Sequence, residues 1–254
     1  MTDRLTGQRN PLGRTVRLLG WMAEHDSEDF GVRELAAAVG MAPSTVHRSL
    51  GALEQEGLVQ SDAQSGRYRL SLGFYRLALK GARRAPLLQV AMPFVTEAAR
   101  AGEETAQLAV YGEVELAVMF LAEVAPRRYL QVRARLHEWL PLTVSAAGLA
   151  VLSRLDSEAV VSAFARAPGT ASGSELAATL DTIRRRGFAS AQGLPEPGCV
   201  ELAAPFIGPD GRVRGALGFS LPQVRFNPKL EAALGSLLAA EAGKLAGALV
   251  EAGA

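Results

Sequence analysis

Apolar residues recur every three or four positions through the first fifty residues, switch to alternate positions, and repeat that change of period twice more along the chain. In RTVRLLGWMAE, residues Val16, Leu18, Leu19 and Met22 predict a helix that ends in the polar run from Asp26 to Asp29. Val32, Leu35, Ala36 and Val39 follow i, i+3, i+4, i+7 spacing in a second, shorter helix, which Gly40 is placed to stop. Pro43 suits the first position of a third helix, PSTVHRSLGALEQEG, because its missing N–H would have no partner there in any case. Val46, Leu50 and Leu53 form the inward side of this helix and leave Ser44, Thr45, His47 and Arg48 on other faces near its start. In LVQSDAQSGRYRLSL the period falls to two around a polar turn. Tyr68 and Leu70 alternate with Arg67 and Arg69, which predicts a hairpin with one basic face.

Past this hairpin, GFYRLALKGARR reads as an amphipathic linker helix, and Pro86 separates it from a further helix over residues 87–101. Strand patterns follow in TAQLAVYG, VELAVMFLAEV and YLQVRARL. Helices are predicted from Ser145 to Leu155, from a cap at Ser157, and from the capping box Ser172-Gly-Ser-Glu175. Strands return in GFASAQG, CVELAAPFIG and RVRGALGFSL, with Pro209, Asp210 and Gly211 as a turn, and Asn227-Pro228 opens a last helix. The pattern is α+β in two domains, with boundaries predicted at 1–71, 72–85 for the linker helix, and 86–254.

Composition narrows what such a chain does. The 254 residues are 48% hydrophobic and 21% charged, which is the balance of a packed soluble protein. No apolar run reaches the roughly 18 residues of a membrane span, and MTDRLTGQRN is no secretory leader, so no membrane partner and a cytoplasmic location are expected. Cys199 is the only cysteine and the three histidines are scattered, so neither a disulfide, a metal site nor another cofactor is expected. The net charge is only +1, yet the basic excess lies before residue 85, which favours a nucleic-acid surface there. No serine-elbow, phosphate-loop or zinc motif is present, so no enzyme is predicted.

Two short helices around a tight turn, followed by a basic hairpin, make a winged helix-turn-helix, whose partner is double-stranded DNA. Arg48 is the best candidate for a bidentate contact to guanine. Arg67 and Arg69 suit phosphates, with Arg33 a weaker candidate of the same kind.

The segment from Val32 to Leu72, above all ELAAAVGMAPSTVHRSLGALEQEGLVQ and SGRYRLSLG, resembles the DNA-binding module of the IclR family. The resemblance implies that Ser44, Thr45, His47 and Arg48 enter the major groove. It also implies that the linker helix helps form a homodimer or tetramer. The second half resembles the IclR effector-binding domain through LPLTVSAAGLAVLSRL, IRRRGFA, EPGCVELAAPF and DGRVRGALGFS, implying a GAF-like antiparallel sheet flanked by helices. The function so implied is a repressor or activator whose operator binding responds to a small-molecule metabolite. The alternatives are an oligomeric regulator without effector and an enzyme or sensor subunit that uses its winged helix for docking.

By the same resemblance, the ligand sits between the sheet and the helix start at Ser145 to Gly148, where the N–H groups of Ala146, Ala147 and Gly148 would suit an acceptor. Where glyoxylate- and pyruvate-responsive members carry an acid, a Cys or Ser and two serines, this chain has Ala191, Glu201, Gly218 and Ser220. Only Ser220 is retained. Glu201 alternates with Cys199 and would face either an effector's donor group, with Met119, Leu121 and Val132 around the effector's apolar body, or an internal partner such as Arg133 or Arg135.

Overall fold

The computed structural model describes residues 10–25, 27–83, 86–167, 173–194 and 196–253. The chain divides into two compact units, residues 1–85 and 86–254.

The first unit contains α1 (Pro11–Glu24), α2 (Val32–Val39), α3 (Pro43–Gln55), the hairpin β1 (Val59–Ser61) and β2 (Tyr68–Leu70), and α4 (Leu72–Arg83). Helix α1 starts ahead of the apolar stripe because Asn10 caps it, its Oδ1 accepting the Leu12 N–H at 3.0 Å. Gly40 ends α2 with φ 65°, a left-handed conformation that costs glycine little because it has no Cβ. Pro43 occupies the first turn of α3. Leu18, Met22, Phe30, Leu35, Val46, Leu50, Val59 and Tyr68 close into one core under the three helices and the hairpin. Phe30 and Tyr68 exchange both backbone hydrogen bonds, at 2.8 and 2.9 Å, and so attach the hairpin to the loop before α2. Helix α4 leaves Leu72, Tyr75, Leu77 and Leu79 exposed.

The second unit contains α5 (Pro86–Gly102), β3 (Thr105–Gly112), β4 (Ala117–Val124), β5 (Trp139–Pro141), α6 (Ala146–Leu152), α7 (Ser157–Arg166), α8 (Gly173–Arg186), β6 (Ala189–Gln192), β7 (Cys199–Ile207), β8 (Val213–Pro222) and α9 (Pro228–Ala252). The strands form one antiparallel sheet in the order β5-β4-β3-β8-β7-β6. One face packs on α5 and α9 through Leu108, Leu202, Leu217, Phe219, Leu234 and Leu245. The other packs on α6 and α8 through Ala109, Phe120, Ala203, Ala147, Val151 and Leu180. Helix α9 is long and apolar enough to cross a membrane. Its Leu234, Leu238, Ala242, Leu245 and Leu249 are instead buried in the core of this unit.

Two local predictions are corrected, and a third lies partly outside the described residues. YLQVRARL forms no strand. Its alternation imitates one, but among the described residues only Leu136 of this segment bridges to the sheet, at Phe120, while residues 117–119 of that edge pair with β5. Asp156, not Ser157, caps α7, because its Oδ1 lies 2.8 Å from the Ala159 N–H. Ser172 of the expected capping box lies outside the described residues, while Glu175 sits in the first turn of α8.

Candidate DNA-reading face and ligand pocket

Burial on α3 separates two sets of residues. Val46, Leu50 and Leu53 are buried, whereas Ser44, His47 and Arg48 are exposed and Thr45 is half-buried. The exposed set clusters at the start of the helix because Pro43 fixes that start and Val46 and Leu50 fix its rotation. Arg33 on α2 is exposed as well. On the hairpin the two arginines part company. Arg69 is exposed and lies opposite Gln60 across the strand pair. Arg67 turns back onto its own unit, pairing with Asp29 and placing Nη2 3.1 Å from Glu34. Its guanidinium is thus committed to holding the hairpin against the loop before α2 and to Glu34 on α2. That use differs from the phosphate contact expected from the alternation alone.

In the second unit a polar group is enclosed between the sheet and α6. Glu201 on β7 is 2% exposed. Its Oε2 accepts the Ala146 N–H and its Oε1 the Ala147 N–H, each at 3.0 Å. Ser145 Oγ takes the next N–H, that of Gly148, also at 3.0 Å. The N–H groups expected to await an outside acceptor are therefore all engaged from within the chain. Glycine at 148 permits the approach, since a Cβ there would collide with the backbone of Leu142.

Neither arginine expected as the internal partner of Glu201 reaches it. Arg133 pairs with Glu123 and Arg135 with Glu196. Burial pushes the Glu201 carboxyl up to about 7 from an ordinary 4.5, against the opposing pull of the two N–H donors.

Gln107 on β3, a residue the sequence reasoning missed, completes the group. It is 1% exposed, its Nε2 donates to Ser220 Oγ at 2.8 Å, and its Oε1 has no hydrogen-bond partner among the described residues. The signal for it was a long polar side chain between Ala106 and Leu108 in TAQLAV, at the parity of Ala109. Gln107, Glu201 and Ser220 line a cavity of about 20 Å³, which is space for about one water. Phe120, Val132, Ala134, Leu194 and Cys199 complete much of its wall. Burial and the nearby charge of Glu196 push the Cys199 thiol up, away from a reactive thiolate.

Met119 and Leu121 do not line this cavity. Successive strand residues face opposite ways, and Phe120 takes the α6 side while Leu121 packs toward α5 and α9. Ala191 pairs with Glu201 in the neighbouring strand, and Gly218 pairs with Gln107.

A winged helix-turn-helix joined to an α+β domain with an enclosed polar pocket is the build of a two-part DNA-binding regulator. A family model described as the IclR helix-turn-helix domain matches residues 11–63, and one described as bacterial transcriptional regulator IclR C-terminal matches residues 80–246. The chain belongs to the IclR family of bacterial transcriptional regulators, in which a DNA-binding helix-turn-helix precedes an effector-binding domain. It is 28% identical to the acetate operon repressor of Salmonella typhimurium over 165 residues, which is 65% of this chain and 60% of that repressor. The shared region thus falls short of two thirds of that relative's length. A crystal structure assigned as an IclR regulator from a Silicibacter species superposes with TM-score 0.80 at 26% identity, covering 95% of this chain and 96% of that one. An IclR homolog from Microbacterium hydrocarbonoxydans, complexed with 4-hydroxybenzoate, shares the fold with TM-score 0.77 at 24% identity, covering 94% and 99%.

Proposed function

We propose that this chain controls transcription by binding operator DNA through α3 and that a small molecule taken up near Glu201 modulates that binding. The exposed cluster Ser44, His47 and Arg48 at the N-terminal end of α3 carries the DNA part of the reading. A helix of this kind lies in the major groove with its first residues against base edges. Arg48 has no carboxylate partner among the described residues, so its fork is open to a guanine. Thr45, half-buried behind this set, is proposed to contact the groove through its hydroxyl. Arg69 and Arg33 serve as phosphate contacts, and Arg67 positions the wing.

The effector part rests on the enclosed polar group of Gln107, Glu201 and Ser220 beside the first N–H groups of Ala146, Ala147 and Gly148, with Val132 and Cys199 in the wall. The complex of the Microbacterium homolog with 4-hydroxybenzoate supports a small-molecule site in this fold. Two copies, joined in part through the exposed apolar residues of α4, would set two α3 helices on successive half-sites in the cytoplasm.

Fluorescence anisotropy with DNA from upstream of the chain's own gene, against random DNA over a range of salt, tests the reading. Specific binding that is lost in R48A supports it, and sequence-blind binding in both proteins refutes it. Transcript levels of neighbouring genes in a deletion strain decide between repression and activation. A second reading, a regulator whose second unit only oligomerises, draws on the small volume of the cavity. It predicts that no metabolite raises the melting temperature.

A further inference from the structure

Two observations at the pocket bear on what it takes. The first two N–H groups of α6 both end on the carboxylate of Glu201, and the third ends on Ser145. This seven-residue helix therefore offers no open anion site of its own. Independently, Gln107 lines the same cavity as Glu201, and its buried Oε1 has no hydrogen-bond partner among the described residues. An acceptor in that position lacks the donor that nearly every buried polar group finds.

We propose that Glu201 is a built-in occupant of a carboxylate cradle, and that the ligand of this pocket brings a hydrogen-bond donor, a hydroxyl or an amine, rather than a carboxylate. This rests on the reading of the pocket as the effector site. A carboxylate entering from outside would compete for N–H groups already taken. Above about pH 7, where Glu201 is ionised, it would also lie against a buried carboxylate, and like charges repel strongly there. Arg133 and Arg135, the cations of the wall, are held by Glu123 and Glu196 and do not offset that repulsion.

A donor meets the reverse situation. Each carboxylate oxygen of Glu201 keeps a further lone pair, and Gln107 Oε1 keeps both of its own. Ser220 Oγ, which accepts from Gln107, still has its proton to give. The site is thus rich in acceptors. Its volume of about 20 Å³ admits only a small head group, and a larger body must displace Val132, Ala134 or Leu194.

The test uses the full chain at pH 8 as wild type, E201A and E201Q, with sodium acetate and sodium chloride at matched ionic strength. Acetate restores the methylene and carboxylate that alanine lacks. The melting temperature of E201A is expected to fall and then to recover saturably with acetate but not chloride. Wild type and E201Q, whose cradles are filled, are expected to show no acetate-specific shift. Should E201A fail to fold, soluble yield on refolding with acetate against chloride gives the same readout. No acetate-specific recovery, or an equal shift in wild type, overturns the cradle.

The donor preference is tested on wild type with ethanolamine and propionate, which are similar in size. Ethanolamine alone is expected to raise the melting temperature. A propionate shift, or no shift with either, overturns the preference. If acetate rescues E201A but neither probe alters operator binding, the cradle stands and the effector reading falls. If propionate alters operator binding of the wild type, the effector reading stands and this inference falls.

Discussion

Arg67 reaches back from the wing to Glu34 on α2, its Nη2 3.1 Å from the carboxylate, while its Nε pairs with Asp29 in the preceding loop. Arg69, two residues along the same hairpin, makes no such return and is exposed. The two arginines therefore have different predicted signatures in DNA binding. R69A is expected to flatten the dependence of log affinity on log salt by about 0.9, the release of one phosphate's counterion. R67A is expected to weaken binding with little change of that slope, because it loosens the wing without removing a phosphate contact. Anisotropy titrations at four or more salt concentrations separate the two.

Arg48 is the residue whose loss is expected to change sequence preference. R48A would weaken the specific complex by about 1–3 kcal/mol and relax discrimination at a single guanine, leaving random-sequence binding nearly unchanged. Competition with operator variants changed one base pair at a time provides the check. A uniform loss across all variants would make Arg48 a phosphate contact.

The raised Glu201 carboxyl sets a pH dependence with a definite sign. The native state holds this proton up to about pH 7, whereas the unfolded chain releases it near the ordinary 4.5. Between these values the native state binds more protons, so the stability of the second unit is full below about 4.5 and declines as pH rises to about 7. The whole effect is on the order of 3 kcal/mol. The neighbouring charges Arg133, Arg135, Glu123 and Glu196 are already in ion pairs, and the Cys199 thiol is pushed up. E201Q is expected to abolish this decline. Chemical denaturation from pH 4.5 to 8 measures it, and an identical slope in E201Q would show that another group is responsible.

Leu50 is fully buried in the first unit. L50A is expected to cost about 2–5 kcal/mol, the usual range for a leucine truncated in a core. With two compact units, the loss would fall on one thermal transition and leave the other in place. Calorimetry of L50A together with E201Q, each of which should move a different transition, tests that separation. A single transition moving as a whole in both variants would mean that the units unfold together.

The sequence by itself determined the elements whose causes are local. Pro43 and Gly40 mark the ends of α3 and α2, and Val46, Leu50 and Leu53 fix which side of α3 is buried, so the exposed face of α3 was legible from the spacing. The six-strand topology was not legible in that way. Most of its strands were, because alternation records burial on one face and turn residues record the ends.

Tertiary structure alone decided which groups meet. Alternation says that Phe120 and Leu121 face opposite ways, but only the packing of α6 and α9 says which of them faces the pocket. The apolar period of YLQVRARL gave a strand pattern, yet β5 already pairs with residues 117–119 of the adjoining edge, so most of that segment wraps the pocket as a loop. The partner of Glu201 lies 55 residues away on α6, chosen by the distance between two layers rather than by anything adjacent in the chain. Charge pairing offered Arg133 and Arg135 as plausible partners. The packed structure gave those arginines to Glu123 and Glu196 and brought backbone N–H groups to Glu201 instead, because a buried carboxylate takes whichever donors the fold places within reach.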